Sequence, residues 1–412
     1  MKYVVIIGDG MADYPVHQLG NKTPLQVAKK PNMDFLAIRG ITGLVKTIPD
    51  NLSPGSDVAN LSVMGYDPET YYTGRSPLEA VSMGIELNPE DMAFRCNLVT
   101  LSDEDNYREK SMVDYSSDEI TSEEAAELIA EINRHLKSSE ISFYPGVSYR
   151  HCMVWRNIEG EFALTPPHDI SGKKIASFLP KGKFADKLLD IMIESYRILK
   201  EHPVNLNRIS RGLKPANSVW LWGQGRKPNI PSFVEKYNLE GSVISAVDLV
   251  KGLGICMGLK SVKVKGATGN IHTNFCGKAE AALQELNSGK DFVYIHVEAP
   301  DECGHRYETE NKVKAIEYID EKVVGILLEG LKQFDRYRIL ILPDHPTPLS
   351  LRTHTSDPVP FVIFDSEKHG KNGNNANNGN ISGYDEFQAK NSGIFIEKGH
   401  ELMDYFIKGA EI

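Results

Sequence analysis

Three apolar runs in this chain each lead into a segment that carries an aspartate, and this pattern constrains the fold more than any other feature. The runs cover residues 3–7, 291–297 and 338–342, and the acids that follow them are Asp9, Asp301 and Asp344. Short continuous apolar runs are typical of strands buried on both faces, as in a parallel sheet covered by helices. The carboxyl ends of neighbouring parallel strands meet at one crevice, so we predict that the three aspartates lie close together.

The segments between these runs favour helices, which makes the chain an α/β protein. Helices are predicted over residues 23–30, 32–39 and 310–332, and further strands over 218–222 and 243–247. The apolar residues of the last helix recur at helical spacing and define one face, made of Ile316, Ile319, Val323 and Leu327. The alternation of strands and helices predicts a mixed, mainly parallel sheet flanked by helices.

The middle of the chain interrupts this alternation and has a different composition. The elements predicted there are a Glu-rich amphipathic helix over 117–136, short strands over 141–157 and a helix over 185–200. We therefore predict a discontinuous core over residues 1–96 and 215–412, with an inserted α+β domain over residues 97–214.

Composition and charge exclude several classes of protein. The chain has 412 residues and a formal net charge of −10, whereas a nucleic-acid-binding protein needs a basic face. A locally positive cleft can still bind a small anion. No apolar run approaches the length of a membrane helix, and the five scattered cysteines lack CxxC spacing, so we expect a cytoplasmic protein with reduced thiols. The Asn-rich segment 371–380 is predicted to be a disordered surface loop.

Histidines accompany two of the three aspartates in patterns that suit a divalent metal ion. Asp301 and His305 are four residues apart, so a helical turn would direct both at one ion, although this spacing also arises by chance. Asp344 and His345 are adjacent, and both can bind one ion only if the strand has ended, as the flanking prolines indicate. His354 is either a further ligand or a surface histidine. Carboxylates and imidazoles suit Mn²⁺, Zn²⁺ and Mg²⁺.

Asp9 and Ser56 extend the candidate site toward the start of the chain. Asp9 also follows a strand, and its other interpretation is a turn-forming residue in Gly-Asp-Gly. Ser56 follows a Pro-Gly turn and precedes an apolar-periodic segment, where it acts either as a helix N-cap or as a nucleophile. A metal ion and the positive end of the helix are two ways to activate its hydroxyl. Ser53 and Ser62 are worse placed, because neither lies at a strand-to-helix junction.

Four ordered segments of the chain carry these residues. They are Ile6-Ile-Gly-Asp-Gly-Met-Ala-Asp13, Pro54-Gly-Ser-Asp-Val-Ala-Asn-Leu61, Glu298-Ala-Pro-Asp-Glu-Cys-Gly-His305 and Pro343-Asp-His-Pro-Thr-Pro348. Together they resemble the archaeal-type, cofactor-independent phosphoglycerate mutases of the alkaline phosphatase superfamily, over nearly the whole chain. The resemblance implies an alkaline-phosphatase-like core, two divalent ions (Mn²⁺ first, Zn²⁺ or Mg²⁺ as alternatives) and no bisphosphoglycerate cofactor.

The same resemblance implies a division of the ligands between the two ions. It implies that one ion is surrounded by Asp9, Ser56, Asp344 and His345. It implies that the other ion is held by Asp301, His305 and His354.

The reaction implied is the interconversion of 3-phosphoglycerate and 2-phosphoglycerate in glycolysis and gluconeogenesis. Ser56 attacks the phosphate of this small phosphorylated hydroxy acid, and the bound glycerate re-orients and takes the phosphoryl group back on its other hydroxyl. Water must be excluded to prevent hydrolysis, so the inserted domain is expected to act as a substrate-binding lid.

A substrate with carboxylate and phosphate groups needs cationic side chains around it. The candidates are Arg150 and His151 in the insertion, and Arg75, Arg226, Lys265 and Lys278 on the core side. Each of them is otherwise an ordinary solvated charge. His168 or Asp169 is the candidate for moving a proton to and from the glycerate hydroxyls.

Three other functions stay open on the sequence. A homoserine kinase-like phosphotransferase of threonine biosynthesis would share every metal ligand, but its acceptor carries an ammonium group and needs a carboxylate in the pocket. A phosphomonoesterase or sulfatase would leave its site open to water, whereas the large insertion favours shielded transfer. A non-catalytic metal-binding protein would not need Ser56. The chain also has His272 where the family it resembles usually has aspartate, which bears on acceptor recognition.

Overall fold

The computed structural model describes residues 1–370 and 381–409, so the Asn-rich segment 371–380 lies outside the described residues. The strands are β1 (Lys2–Gly8), β2 (Ile41–Val45), β3 (Met92–Leu101), β4 (Met112–Asp114), β5 (Ile141–Val147), β6 (Arg150–Trp155), β7 (Phe162–Ala163), β8 (Lys181–Gly182), β9 (Ser218–Arg226), β10 (Gly241–Ile244), β11 (Lys260–Val262), β12 (Phe292–Val297), β13 (Tyr337–Leu342), β14 (Val359–Asp365) and β15 (Phe395–Ile396).

The helices follow in the same chain order. They are α1 (Pro24–Val27), α2 (Pro31–Arg39), α3 (Ser56–Val63), α4 (Pro68–Tyr71), α5 (Ser76–Ser82), α6 (Ser122–Leu136), α7 (Ala185–Leu199), α8 (Pro203–Ser210), α9 (Phe233–Tyr237), α10 (Asp248–Cys256), α11 (Phe275–Asn287), α12 (Ala299–His305), α13 (Thr309–Ile319), α14 (Gly325–Gly330), α15 (Ser366–His369), α16 (Glu386–Asn391) and α17 (Leu402–Lys408). A π-helical turn, Asp320–Val324, joins α13 to α14.

The chain divides into two compact units. Met1–Tyr72 and Ile230–Ile412 form the larger unit, and Thr73–Asn229 form the inserted unit. The inserted unit is wider than the predicted span of 97–214, because β3 pairs with β9 from Met92↔Arg226 onward and neither strand can be left out of its sheet. Arg75 and Arg226, predicted to lie on the core side, therefore belong to the inserted unit.

The sheet of the larger unit runs in the order β11-β10-β12-β1-β13-β14-β2-β15. Its pairs are parallel except those that β14 makes with β13 and β2, so the predicted mixed, mainly parallel sheet is confirmed. Strand β1 is buried on both faces from Val4 to Ile7, as expected for a central strand covered by helices. The predicted apolar face of the helix over 310–332 is confirmed, since Ile316, Ile319, Val323 and Leu327 are fully buried.

The register of the central strands sets the position of the site. Ile7 of β1 pairs with both His296 of β12 and Leu342 of β13. Asp9 and Asp344 each come two residues after their paired strand residues, so both lie at the same edge of the sheet. The turn after β1 requires Gly10, because its φ of +62° is left-handed and an added Cβ would lie 2.7 Å from Asp301 Cα.

The inserted unit is built around an antiparallel sheet. Its order is β4-β3-β6-β5, with β9 on the other edge of β3, and α6 and α7 contribute Leu128, Ile129, Leu188 and Met192 to its core. Helix α6 begins at Ser122 rather than at the predicted residue 117, because Ser117, Asp118 and Glu119 have positive φ angles. Among the described residues, no helix combines the length and apolar character that crossing a bilayer would need.

Candidate active site and metal centre

The carboxyl edge of the larger sheet gathers seven predicted residues into one polar cluster. One residue follows β1, one begins α3, two belong to α12 and three lie in the segment after β13. The members of this acid–imidazole cluster are Asp9, Ser56, Asp301, His305, Asp344, His345 and His354.

Asp9 and Asp344 form the buried half of the cluster. They are 2% and 0% exposed. Oδ1 of Asp344 accepts from the backbone N–H groups of Gly10 (3.2 Å) and His345 (2.9 Å), and its Oδ2 accepts from Asn60 Nδ2 (2.7 Å). By contrast, Oδ1 of Asp9 has no hydrogen-bond partner among the described residues. Burial and the neighbouring charge of Asp344 raise the pKa of Asp9 well above its usual value, a cost that a bound cation would remove.

Asp301 forms the more exposed half together with two histidines. Its oxygens lie 3.3 Å from Nε2 of His305 and 3.3 Å from Nε2 of His354, and the two Nε2 atoms are 2.9 Å apart. Nδ1 of His305 lies 2.9 Å from the carbonyl oxygen of Arg352, which can only accept, so Nδ1 carries a proton. This leaves Nε2, which faces Asp301, as the ring nitrogen that can bind a metal ion.

Ser56 is the first residue of α3, and Gly55 is its N-cap, so the predicted capping role of Ser56 is wrong. The extended backbone of Gly55 places Ser56 one position inside the helix. Its hydroxyl lies 3.1 Å from Nε2 of His345. The hydroxyl therefore faces the cluster at the positive end of a helix, where a developing negative charge is stabilised.

Buried polar contacts hold the loops of the cluster in place. Thr347 donates to Oδ1 of Asp301 (2.5 Å) and lies 3.3 Å from Nδ1 of His345. Lys312 donates to the Thr347 carbonyl oxygen (2.8 Å) and to Oδ2 of Asp13 (2.7 Å). Since Lys312 is fully buried, this ion pair ties the loop after β1 to the loop after β13.

The residues present fit divalent metal ions. Three overlapping groups each place three ligand atoms within 4.8 Å of one another: Asp301, His305 and His354; Asp9, Asp301 and His345; and Asp9, His296 and Asp344. Carboxylate oxygens and imidazole nitrogens are ordinary ligands of Mn²⁺ and Zn²⁺. The unpartnered Asp9 oxygen and the two adjacent buried carboxylates are features that a cation would satisfy.

Sequence reasoning missed His296, Asn60 and Thr347. Asn60 and Thr347 lie inside two of the four motifs, near residues that were predicted to form the site. His296 lies within an apolar run, on the same face of β12 as Tyr294, whose hydroxyl donates to Asn60 Oδ1 (2.6 Å). Two polar residues on one face of an otherwise apolar strand were the available signal.

The two lysines predicted near the core differ in their surroundings. Lys278 of α11 is fully buried, and its ammonium donates to the carbonyl oxygen of His296 (2.7 Å). Burial lowers its pKa to about 8, with the nearby Glu298 carboxylate acting in the opposite direction. Lys265 is exposed, and the hydrogen bond recorded there uses only its carbonyl oxygen, which accepts from Asn274.

The inserted unit contains a cavity of about 380 Å³ rich in cationic side chains, here called the arginine cavity. It is lined by Arg75, Arg95, Asn97, Tyr115, Tyr149, Arg150, His168 and Trp222. The guanidinium carbon of Arg95 lies 4.5 Å from the ring centre of Trp222. Glu79 accepts from Arg75 (3.1 Å) and Arg95 (2.9 Å) and keeps both guanidinium groups in place. Of the described residues, none with a carboxylate lines this cavity.

Two residues predicted to bind the substrate, His151 and Arg226, and one predicted to carry a proton, Asp169, do not line this cavity. His151 is 5% exposed, accepts from the Gly146 N–H and faces away from the cavity side of β6, on which Arg150 lies. Arg226 donates to the carbonyl oxygens of Glu90 and Ile158. Asp169 lies next to His168, with 3.5 Å between its Oδ1 and the histidine Nε2, but does not line the cavity. Arg95 and Asn97, which do line it, were not predicted.

The fold and the site together define an α/β protein with a mainly parallel sheet and a serine set among carboxylates and histidines at the sheet's edge. The family model for 2,3-bisphosphoglycerate-independent phosphoglycerate mutase matches residues 37–205. A probable 2,3-bisphosphoglycerate-independent phosphoglycerate mutase from Geobacter sulfurreducens is 52% identical over 99% of this chain and 100% of its own length. A mutase of the same name from Methanothrix thermoacetophila is 50% identical over 99% of this chain and 100% of its own.

Two solved structures are similar to this chain over its whole length. A protein from Pyrococcus horikoshii has a TM-score of 0.81 at 29% identity, covering 100% of this chain and 98% of its own. The cofactor-independent phosphoglycerate mutase from Thermoplasma acidophilum has a TM-score of 0.69 at 27% identity, covering 100% of both chains. The chain belongs to the 2,3-bisphosphoglycerate-independent phosphoglycerate mutase family, and the family predicted from the four motifs is confirmed.

Proposed function

We propose that this protein interconverts 3-phosphoglycerate and 2-phosphoglycerate by phosphoryl transfer to and from Ser56. The observation that carries the proposal is the Ser56 hydroxyl at the start of α3, 3.1 Å from His345 Nε2 within the acid–imidazole cluster. Relatives with about half of their residues identical, named as phosphoglycerate mutases, support the choice of substrate. The free cysteines and the glycolytic step are consistent with a cytoplasmic enzyme.

The proposed enzyme needs two divalent ions, Mn²⁺ first. Asp9, Ser56, Asp344 and His345 would hold one, and Asp301, His305 and His354 the other. Bound there, the ions would neutralise the phosphate charge and favour the alkoxide form of the serine hydroxyl.

The reaction then depends on groups that the chain itself supplies. Ser56 Oγ attacks phosphorus in line, its bond to phosphorus forms, and the bond from phosphorus to the glycerate 3-oxygen breaks. The released glycerate 3-oxygen takes up a proton. In the second half the 2-hydroxyl gives up a proton as its oxygen bonds to phosphorus, the bond from phosphorus to Ser56 Oγ breaks, and the serine oxygen returns to its starting state. His168, which lines the arginine cavity beside Trp222, is the proposed proton carrier, with Asp169 as its acidic neighbour.

The charge of the arginine cavity favours a carboxylate-bearing substrate. Three guanidinium groups, from Arg75, Arg95 and Arg150, line it without a carboxylate among the lining residues described. Arginine binds carboxylates in a paired, planar geometry, whereas an ammonium group needs acidic partners. This cavity therefore favours phosphoglycerate over the homoserine kinase-like alternative. In the same proposal the inserted unit limits hydrolysis by keeping water from the transferred group.

The test is an enolase-coupled assay of the purified protein with 3-phosphoglycerate and Mn²⁺, without bisphosphoglycerate. Conversion at a kcat of roughly 1–10³ s⁻¹ is expected, with loss on chelation and recovery on addition of Mn²⁺. No conversion, together with phosphate transfer from ATP to homoserine, would overturn the mutase proposal in favour of the kinase. Full activity in the presence of chelator would overturn the metal dependence alone.

A further inference from the structure

His296 is a histidine in a position where strands normally carry apolar residues. It is fully buried in β12, between Ile295 and Val297. Its Nδ1 lies 3.4 Å from the hydroxyl of Ser245, and its Nε2 has no hydrogen-bond partner among the described residues. A buried polar atom without a partner is costly and calls for an explanation.

The unpartnered nitrogen of His296 faces the buried carboxylate pair. Nε2 lies 3.2 Å from Oδ2 of Asp9 and 4.0 Å from Oδ2 of Asp344. Two atoms that bind one ion at about 2.1 Å each lie roughly 3–4 Å apart, because the angles at the ion are between about 90° and 140°. Both separations are those of atoms that share an ion.

The direction of the contact separates metal binding from a simple hydrogen bond. In a hydrogen bond the Asp9 oxygen would lie along the Nε2–H bond of His296, but no such bond is formed despite the short distance. When an imidazole and a carboxylate bind one ion, the ion lies along the lone pair of the imidazole nitrogen. The carboxylate oxygen then lies to one side of that direction. The off-axis position of Asp9 is thus the arrangement expected of a shared ion.

The two oxygens of Asp9 face different histidines. Oδ1 is 3.6 Å from His345 Nε2, whereas Oδ2 is 3.2 Å from His296 Nε2. Oδ1 of Asp344 accepts from two backbone N–H groups, whereas Oδ2 accepts from Asn60 Nδ2 and lies on the side of His296, where its second lone pair can bind a cation.

We infer that His296 is a nitrogen ligand of the divalent ion held between Asp9 and Asp344, in addition to the residues that the family motifs supply. The inference rests on the metal dependence within the proposed function. An added imidazole makes the site better suited to Mn²⁺ or Zn²⁺ than to Mg²⁺, which prefers oxygen ligands and retains water.

The direct test is a crystal structure of the wild-type protein grown with MnCl₂, with anomalous maps recorded at the manganese edge. A manganese peak within about 2.4 Å of His296 Nε2 is expected, close to the usual metal–imidazole distance. Manganese peaks near Asp9 that all lie beyond about 3 Å from Nε2 would overturn the inference. This measurement needs no variant, so it does not depend on how a substitution affects folding.

Calorimetric titration of the chelator-treated protein with Mn²⁺ gives a second readout. His296→Gln should lower the affinity for the ion between Asp9 and Asp344 by at least about tenfold. The affinity for the ion at Asp301, His305 and His354 should stay unchanged. His369→Gln is the matched control, because His369 is also buried in the larger unit but accepts from the Asp365 N–H. Equal affinities in wild type and His296→Gln would overturn the inference while leaving the proposed function intact. A wild-type protein that binds no Mn²⁺ would overturn both.

Discussion

The larger unit and the inserted unit collect opposite charges by different means. In the larger unit, carboxylates and imidazoles stand at one sheet edge, on the segments after β1 and β13 and on α12, and backbone N–H groups and buried partners such as Asn60 fix them. In the inserted unit, Arg95 and Arg150 stand on strands and Arg75 at the N-cap of α5, and Glu79 and the ring of Trp222 hold Arg95 in place. Under the proposed function the first arrangement performs the chemistry and the second recognises the substrate carboxylate. Substitutions should therefore separate turnover from binding.

The strongest separation is expected from Ser56→Ala. Loss of the nucleophile should lower kcat by at least about 10⁴-fold, while Mn²⁺ affinity stays within about tenfold because the carboxylates and histidines persist. The coupled assay and calorimetric titration measure the two quantities on one preparation. Ser62→Ala, a buried serine on the same helix, is the control and should retain activity. Activity of Ser56→Ala at the wild-type level would remove Ser56 from the mechanism.

Lys312→Met should destabilise the larger unit alone. Removing the buried ammonium leaves the charge of Asp13 without its partner, at a cost of about 3–5 kcal/mol in the free energy of unfolding. The three tryptophans, Trp155, Trp220 and Trp222, all lie in the inserted unit, so their fluorescence reports that unit selectively. The midpoint of urea unfolding measured by far-UV circular dichroism should move to lower urea concentration. The midpoint measured by tryptophan fluorescence should not change.

Two further variants sharpen this test of independence. The double variant Lys312→Met with Asp13→Asn should recover part of the loss, because it removes the unpaired charge. Lys332→Met, at an exposed position of the same unit, should change little. If the fluorescence and dichroism transitions of Lys312→Met move together, the two units unfold as one and the comparison fails.

Arg95→Met should impair substrate binding more than turnover. One charged contact to a carboxylate contributes about 1.5–3 kcal/mol, so KM for 3-phosphoglycerate should rise about 10–100-fold with a smaller change in kcat. The KM of Arg95→Lys should fall between those of the wild type and Arg95→Met, because lysine keeps the charge but not the planar pair of donors. The exposed Arg134→Met is the control. A fall in kcat with KM unchanged would assign Arg95 to the chemistry instead.

Asp91→Asn should weaken the inserted unit in a pH-dependent way. Burial acts to raise the pKa of Asp91, but the Asn88 N–H, the Arg156 guanidinium (2.5 Å) and the Asn157 N–H lower it below its usual value. A lowered carboxyl pKa stabilises the fold above the unfolded value of about 3.9, and this contribution is lost as the pH falls through the folded value.

The expected loss for Asp91→Asn is about 1–2 kcal/mol at pH 7, because asparagine keeps one acceptor oxygen. The difference from wild type should shrink below about pH 4, where Asp91 of the unfolded chain takes up a proton before that of the folded protein. Tryptophan fluorescence during urea unfolding at pH 7 and pH 3.5 measures both values. Asp190→Asn, on the exposed side of α7, is the control. A difference that persists undiminished at pH 3.5 would show that charge is not the cause.

The sequence predicted the larger unit well because its signals are local. Asp9 and Asp344 come directly after apolar strands, and His345 comes directly after Asp344. A strand and the polar residues at its end can therefore be recognised within about ten consecutive residues. His296 escaped prediction because a histidine inside an apolar run reads as part of the core until the pairing Ile7↔His296 places it beside Asp9.

The arginine cavity was less predictable because distant strands assemble it. Arg95 and Asn97 share a face of β3 with Trp222 of β9 and Arg150 of β6, and only the antiparallel pairing of these strands brings them together. Alternation along β6 also decides that Arg150 and its neighbour His151 face opposite ways. From the sequence alone the two residues were equal candidates.

The central position of β1 has a consequence for the synthesis of this chain. Tyr3 pairs with Phe292 and Arg338, so β1 leaves the ribosome before its neighbours, which are made about 290–340 residues later. At roughly 5–20 residues per second, that delay is about 15–70 s. The contacts of Thr73–Asn229 are complete well before then. During this interval an apolar strand with open edges is a target for aggregation, and its edges stay open until the last third of the chain has been translated.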